Sequence, residues 1–292
     1  MPKLISIHTA GSTHWVGDGF PTRTVFSYET VGGYTSPFLL FDVSGPQDFK
    51  PSPLPRGIQQ HPHRGFETVT LAYQGEVAHR DSSGGGGLIR SGDVQWMTAG
   101  AGIMHEEFHS PAFSRSGGVL EMVQLWVNLP ADRKMSPPRY QTLLNERIPR
   151  MELGSPASGS LRVIAGQYEQ LTGPAETWSP INLWDLNLNH GTRTALRLPE
   201  GHSAMVIVLR GTLSIDRSAP MHEKQMALFD RSGGTIAISA ETNAALLVLT
   251  GEPLNEPIAG SGPFVMNTAE EILQAKRDFA SGRFGRIPAT GA

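Results

Sequence analysis

Short apolar stretches recur along the whole chain, among them "TVFSYETVG", "FLLFDVSG", "TVTLAYQGEVAHRD", "VLEMVQLWVNL", "INLWDLNL", "MVIVLRGTLSID" and "AALLVLTG". Glycine and proline punctuate them, with 33 and 22 occurrences, well above ordinary use. Apolar stretches of this length between turn residues predict β-strands. Their even recurrence predicts a mostly β protein, a sandwich or barrel built twice, and argues against an α/β sheet. A helical period is convincing only near the C-terminus, in "NTAEEILQAKRDFASG". There Thr268 and Glu271 form a capping box, Ile272, Ala275 and Phe279 share a face, and Gly282 can end the helix, which is expected over about 269–281.

The strand signal weakens between residues 130 and 180, where prolines cluster with Gly and Ser. This divides the chain into an N-terminal domain over 1–130, a connecting region over 131–180, and a C-terminal domain over 181–292 that carries the helix. "VTLAYQGEVAHRD" can be laid over "MVIVLRGTLSIDR", matching Gly75 with Gly211. The same register sets Ser203 opposite Glu67, Pro199 opposite His63 and Arg197 opposite His61. On this reading the second copy lacks the candidate ligands of the first.

Composition narrows the function. A chain of 292 residues with 39% hydrophobic and 17% charged residues is a folded globular protein. A net charge of −3 gives no electrostatic reason to bind nucleic acid or an acidic membrane surface. With no cysteine, disulfides, thiolate metal sites and cysteine nucleophiles are excluded, so any metal must sit on His, Asp or Glu. The N-terminus has no apolar run of signal-peptide length, and no stretch approaches a membrane span. A cytoplasmic location is expected.

Histidines concentrate in one region. "HPHRGFETVT" places His61 and His63 two residues apart, so on a strand both side chains project from one face. "GAGIMHEEFH" repeats the spacing with His105 and Glu107, leaving Glu106 on the other face. Two such pairs on adjacent or facing strands can converge into a site of three histidines and one carboxylate. That donor set suits Fe(II), Mn(II), Co(II), Ni(II), Cu(II) or Zn(II), and four protein ligands leave two positions of an octahedron open for substrate or dioxygen.

Strand parity also lets Glu67 share the face of His61 and His63. Glu67 is therefore a candidate for the layer around the metal. Arg64 points away from His63 in a regular strand and is expected in a salt bridge or near the barrel mouth. Trp96 and Met97 are expected in the core. His8, His14, His79 and His109 lack a partner at ligand spacing, and His202 and His222 are isolated. "SSGGGG" at 82–87 reads as a mobile connection between the paired segments, because no following helix supports a phosphate loop.

"HPHRGFETVT", "GDVQWMTAGAGIMHEE", "GEPLNEPIAGSGPFVMNT" and "DFASGRFG" together closely resemble the pirins, bicupin members of the cupin superfamily. The likeness runs from residue 17 to residue 285. It implies two cupin-type β-barrel domains stacked face to face, with one metal per chain, usually iron, in the N-terminal barrel. The family's ligands fall on His61, His63, His105 and Glu107. In other cupins the carboxylate comes from the first motif, where Glu67 stands, whereas pirins use the His-x-Glu carboxylate.

The resemblance implies three classes of function. One is a quercetin 2,3-dioxygenase, which opens a flavonol ring with O2 and releases carbon monoxide. Glu107 would serve there as both ligand and general base toward a flavonol hydroxyl, and the partner is a small aromatic molecule. The second is an iron-binding, redox-sensitive regulator acting through a protein partner, a transcription factor or a metabolic enzyme. The third, a sugar isomerase or epimerase on the same barrel, is the weakest given the pirin-like tail.

Overall fold

The computed structural model describes residues 2–155, 157–216 and 218–288. Most of the apolar stretches form strands, although "TVFSYETVG" leaves its strand at Ser27 for a short helix over Tyr28–Val31, and the fold is mostly β with a C-terminal helix. Both units share one plan, a seven-stranded antiparallel sheet beside a smaller one.

In the histidine-bearing unit the large sheet runs Arg139–Leu143, Val94–Thr98, Phe66–Gln74, Gly118–Asn128, Phe38–Phe49, Phe20–Ser27, His14–Val16. Its companion has four strands in the order Gly57–His63, Ile103–His109, Val77–Asp81, Gly86–Ile89. Apolar residues of both sheets, among them Phe20, Ala72, Val77, Ile89 and Met122, pack into one cluster. Trp96 and Met97 are fully buried, as expected of large residues in a central strand.

The other unit repeats the plan around an apolar core of its own. Leu196, Leu198, Val206, Val208, Ile236, Ile238, Leu246 and Val248 are members of it. Gly75 and Gly211 both follow a long core strand and both adopt positive φ, 83° and 79°, a turn conformation that glycine takes without steric cost. At the positions aligned with the histidine pair, Arg197 is exposed, and its neighbours Leu196 and Leu198 face the apolar core.

The unit boundaries differ from those expected at 130 and 181. Residues 2–11 and 25–38 belong with 146–254, and Leu4–Thr9 pairs there antiparallel with Gln225–Phe229. Residues 255–288 belong with the histidine-bearing unit. Phe264, Met266, Ile272, Ala275 and Phe284 build an apolar cluster against Met104 there. Nor is 131–180 simply a connector. Arg139–Leu143 pairs with Val94–Thr98 in one unit, while Arg150–Glu152 and Gly159–Ala165 extend the large sheet of the other.

The C-terminal helix spans Ala269–Ala280, and its capping box is formed by Thr268 and Glu271. Ile272 and Ala275 are buried, but Phe279 remains 41% exposed, its ring tilted against those of Phe264 and Phe284. Ser281 is the cap, with Gly282 following at φ 79°. Two shorter helices, Tyr28–Val31 and Pro111–Ser116, are too short to leave a 3.6-residue pattern in the sequence. Residues 82–85 are the turn of the Val77–Asp81 and Gly86–Ile89 hairpin, and Gly86 and Gly87 open its second strand, so the segment is not a mobile connection between the histidine segments. Asp81 accepts there from the Ser83 and Gly85 amides. Among the described residues no helix is long and apolar enough to cross a membrane.

Candidate metal centre

Strand pairing assembles the histidines. Gly57–His63 lies antiparallel to Ile103–His109, with Ile103 opposite His63, Met104 opposite Pro62 and His105 opposite His61. His61 and His63 share a face through their i, i+2 spacing, and the register brings His105 to them. Ring centroids lie 4.1 Å apart for His61 and His105, 4.7 Å for His63 and His105, and 4.9 Å for His61 and His63. One ring nitrogen from each of the three falls within 4.8 Å of the others.

The donors suit a divalent metal ion. His61 Nδ1 lies 2.8 Å from the Gln59 carbonyl oxygen, which accepts its proton and leaves Nε2 with the lone pair. His63 Nδ1 and both ring nitrogens of His105 are buried without a hydrogen-bond partner. Orphaned buried nitrogens are costly in an apo protein, and coordination removes that cost. Burial pushes the pKa of His61 down and those of His63 and His105 well below the ordinary histidine range; the neighbouring imidazoles act in the same direction on His63 and His105. The neutral form that ligates is thus the resident one.

Glu107 is carried past this cluster by a register shift after His105, which sets it opposite Ile58. It lines the same cavity as His61 and His63, but its carboxylate lies outside the three-histidine cluster. Burial raises its pKa to about 7, with the Thr70 hydroxyl, 3.5 Å away, acting in the other direction. Glu67 is buried and accepts a 2.6 Å hydrogen bond from Thr98. It is not among the residues lining the cavity.

Arg64 leaves the strand after His63 and turns toward the C-terminal helix. Its Nε donates to the Ala101 carbonyl at 2.7 Å, one terminal nitrogen donates to Asp278 at 2.9 Å, and the guanidinium lies 4.7 Å from the centroid of the Phe284 ring. Arg64 thus forms a salt bridge, but a buried one that ties the residue after His63 to the C-terminal helix.

The cavity has a volume of about 190 Å³. Its apolar walls come from Val16, Phe20, Ile58, Met122, Trp126 and Pro263, and Thr22, Asp42, Ser44 and Gln124 add polar groups. They come from several strands and a loop, in period-2 sets such as Phe20 and Thr22, Asp42 and Ser44, and Met122, Gln124 and Trp126, and nothing local in the sequence tells that these strands meet at one cavity. The Trp126 ring sits edge-on to His63 at 5.6 Å and against Phe66 at 4.3 Å. His79, unpaired at ligand spacing in sequence, lies opposite Glu107 on the adjacent strand and stacks on Tyr140. His109 instead bonds the Gly19 carbonyl.

Comparison with known proteins identifies the family. Residues 19–127 match the family model described as Pirin, and residues 183–285 match the Pirin C-terminal cupin domain. The chain belongs to the pirin family. It is 57% identical to a Pseudomonas aeruginosa protein named "Putative quercetin 2,3-dioxygenase", covering 98% of this chain and 99% of the relative. It is 35% identical to "Pirin-like protein 2" of Arabidopsis thaliana, over 92% of this chain and 81% of the relative. A crystal structure described as quercetin 2,3-dioxygenase from Acinetobacter baumannii superposes with a TM-score of 0.96 at 51% identity, covering 99% of this chain and 100% of that one. The pirin fold therefore holds over the whole chain, with the histidine cluster inside the span of the N-terminal family model.

Proposed function

We propose that this pirin is a metal-dependent dioxygenase that opens the heterocycle of a flavonol with O2 and releases carbon monoxide. Both atoms of dioxygen enter the ester product, and the hydroxyl-bearing ring carbon leaves with its own oxygen, so no external reductant is required. The observation that carries the reading is the cluster of His61, His63 and His105, the first half-buried and the other two buried, of which His61 and His63 line an apolar-walled cavity together with Glu107. The relatives' names support the same activity.

His61, His63 and His105 would hold one divalent ion, with Glu107 as the fourth ligand, and Fe(II) is the metal proposed. When bound, the ion supplies Lewis acidity toward a flavonol oxygen and a redox centre for dioxygen. Glu107, in the wall of the same cavity as His61 and His63, would be placed to take the flavonol hydroxyl proton. Phe20, Ile58, Met122 and Trp126 would hold the flat ring system and exclude water from the reacting carbons. Glu67 and Arg64 act from behind, through Thr98 and Asp278.

The test is anaerobic reconstitution of metal-free protein with Fe(II), and separately with Mn(II), Co(II), Ni(II), Cu(II) or Zn(II), followed by quercetin consumption and carbon monoxide release in air, with His63→Ala alongside. Metal-dependent carbon monoxide release that His63→Ala abolishes supports the reading. Bound metal without carbon monoxide removes it and directs the search to protein partners.

A further inference from the structure

Polar groups lining the cavity include the pair Thr22 and Ser44, and Asp42. The hydroxyls of Thr22 and Ser44 lie 2.7 Å apart, and Thr22 also donates to the Phe20 carbonyl. Both are satisfied within the protein. Asp42 differs. Its Oδ1 is buried and has no hydrogen-bond partner. The Thr24 hydroxyl bonds the carboxyl and His14 faces it electrostatically, yet burial still raises its pKa. A buried acceptor without a donor costs free energy unless a bound molecule supplies the donor. Asp42 shares this cavity with His61, His63 and Glu107, and the aromatic rings of Phe20 and Trp126 line it as well.

We propose that Asp42 is a specificity-determining residue, accepting at Oδ1 a hydrogen bond from a hydroxyl that the substrate carries apart from the oxygen facing the histidines. The site then selects planar aromatic molecules bearing several hydroxyls over those bearing one. The substrate class rests on the flavonol reading, while the hydrogen bond itself rests on the geometry of Asp42. A site built to hydrogen-bond a substrate hydroxyl rejects the analogue lacking it, because the protein group is then left unpaired.

The test is anaerobic calorimetric titration of the metal-loaded protein with quercetin and with 3-hydroxyflavone, which keeps the heterocycle's hydroxyl and lacks the others. Wild type is expected to bind quercetin at least about tenfold tighter. Asp42→Leu, or Asp42→Ala if the leucine variant does not fold, brings that ratio toward one without weakening 3-hydroxyflavone. Asp42→Asn keeps an acceptor oxygen and restores most of the preference. An unchanged ratio in the leucine or alanine variant overturns the proposal, as does failure of wild type to bind either flavonol.

Carbon monoxide release from the same samples after admission of air separates the two claims. Discrimination that depends on Asp42 without carbon monoxide leaves the Asp42 assignment standing and removes the dioxygenase reading. Carbon monoxide release with discrimination indifferent to Asp42 does the reverse.

Discussion

His105 lies directly opposite His61 across an antiparallel strand pair, with their ring centroids 4.1 Å apart. Strand register, fixed by backbone hydrogen bonds, therefore sets the spacing of imidazoles more than forty residues apart in sequence. Because the third imidazole, His63, shares the face of His61, the cluster forms wherever these two strands pair correctly.

Replacing His105 by alanine should leave the fold intact and weaken metal retention at least about tenfold. Elemental analysis after dialysis measures it. His109→Gln, on the same strand but with its ring bonded to the Gly19 carbonyl, should retain metal. Equal retention by wild type and His105→Ala would contradict the assignment of the cluster.

Glu107→Gln removes the charge and keeps the shape. Loss of a positioned general base lowers turnover by about 10²- to 10⁴-fold, so steady-state carbon monoxide release should fall within that range while the thermal transition is retained. Metal content of the same variant reports on ligation: a fall accompanying the rate loss is expected of a residue that both binds and accepts a proton. Turnover close to wild type would exclude Glu107 from the chemistry.

Much of this centre was legible in the sequence, because period-2 spacing on a strand is a local property. The pairs His61/His63 and His105/Glu107 announce a shared face without any tertiary knowledge. The register shift after His105 is not a local property, and it is why Glu107 sits beside the cluster and not within it. Asp42, Trp126 and Thr22 each share a face with a neighbour two residues away, Ser44, Gln124 and Phe20, but which strands meet around one cavity is chosen by topology and not by local spacing. The unit boundaries were hidden for a related reason. Leu4–Thr9 reads as an ordinary strand, and nothing local reveals that its partner is Gln225–Phe229. Phe279 has the period of a buried residue, but the helix face turns it outward.

The Arg64–Asp278 pair predicts a pH signature. Hydrogen bonds from Arg64 and Gln274 and the charges of Arg64 and Arg283 hold the Asp278 pKa below its ordinary value. The folded state therefore binds that proton less readily than the unfolded state. The stabilisation is present above the ordinary aspartate pKa and is lost as pH falls through the folded value. Asp278→Ala strands the buried guanidinium and should cost about 3 kcal/mol at neutral pH by urea denaturation. The gap from wild type should narrow in acid. A gap independent of pH would contradict the ion pair's role.

Lys134 is buried and donates to the Gly65 carbonyl, the Val265 carbonyl and Asn128, tying the turn after the histidine pair to the C-terminal segment. Lys134→Met leaves those acceptors unpaired, and about 1 to 3 kcal/mol of stability is expected to be lost for a buried group so orphaned. The urea midpoint should fall accordingly. An unchanged midpoint would show that the lysine does not hold this turn.

The most direct test of the central claim is a titration of metal-free wild-type protein with Fe(II) under anaerobic conditions, with bound metal and carbon monoxide release from quercetin in air measured on each sample. Release that rises with added iron and levels off at one metal per chain is the predicted result. Saturation with one metal and no carbon monoxide, or release that does not follow bound metal, would contradict it.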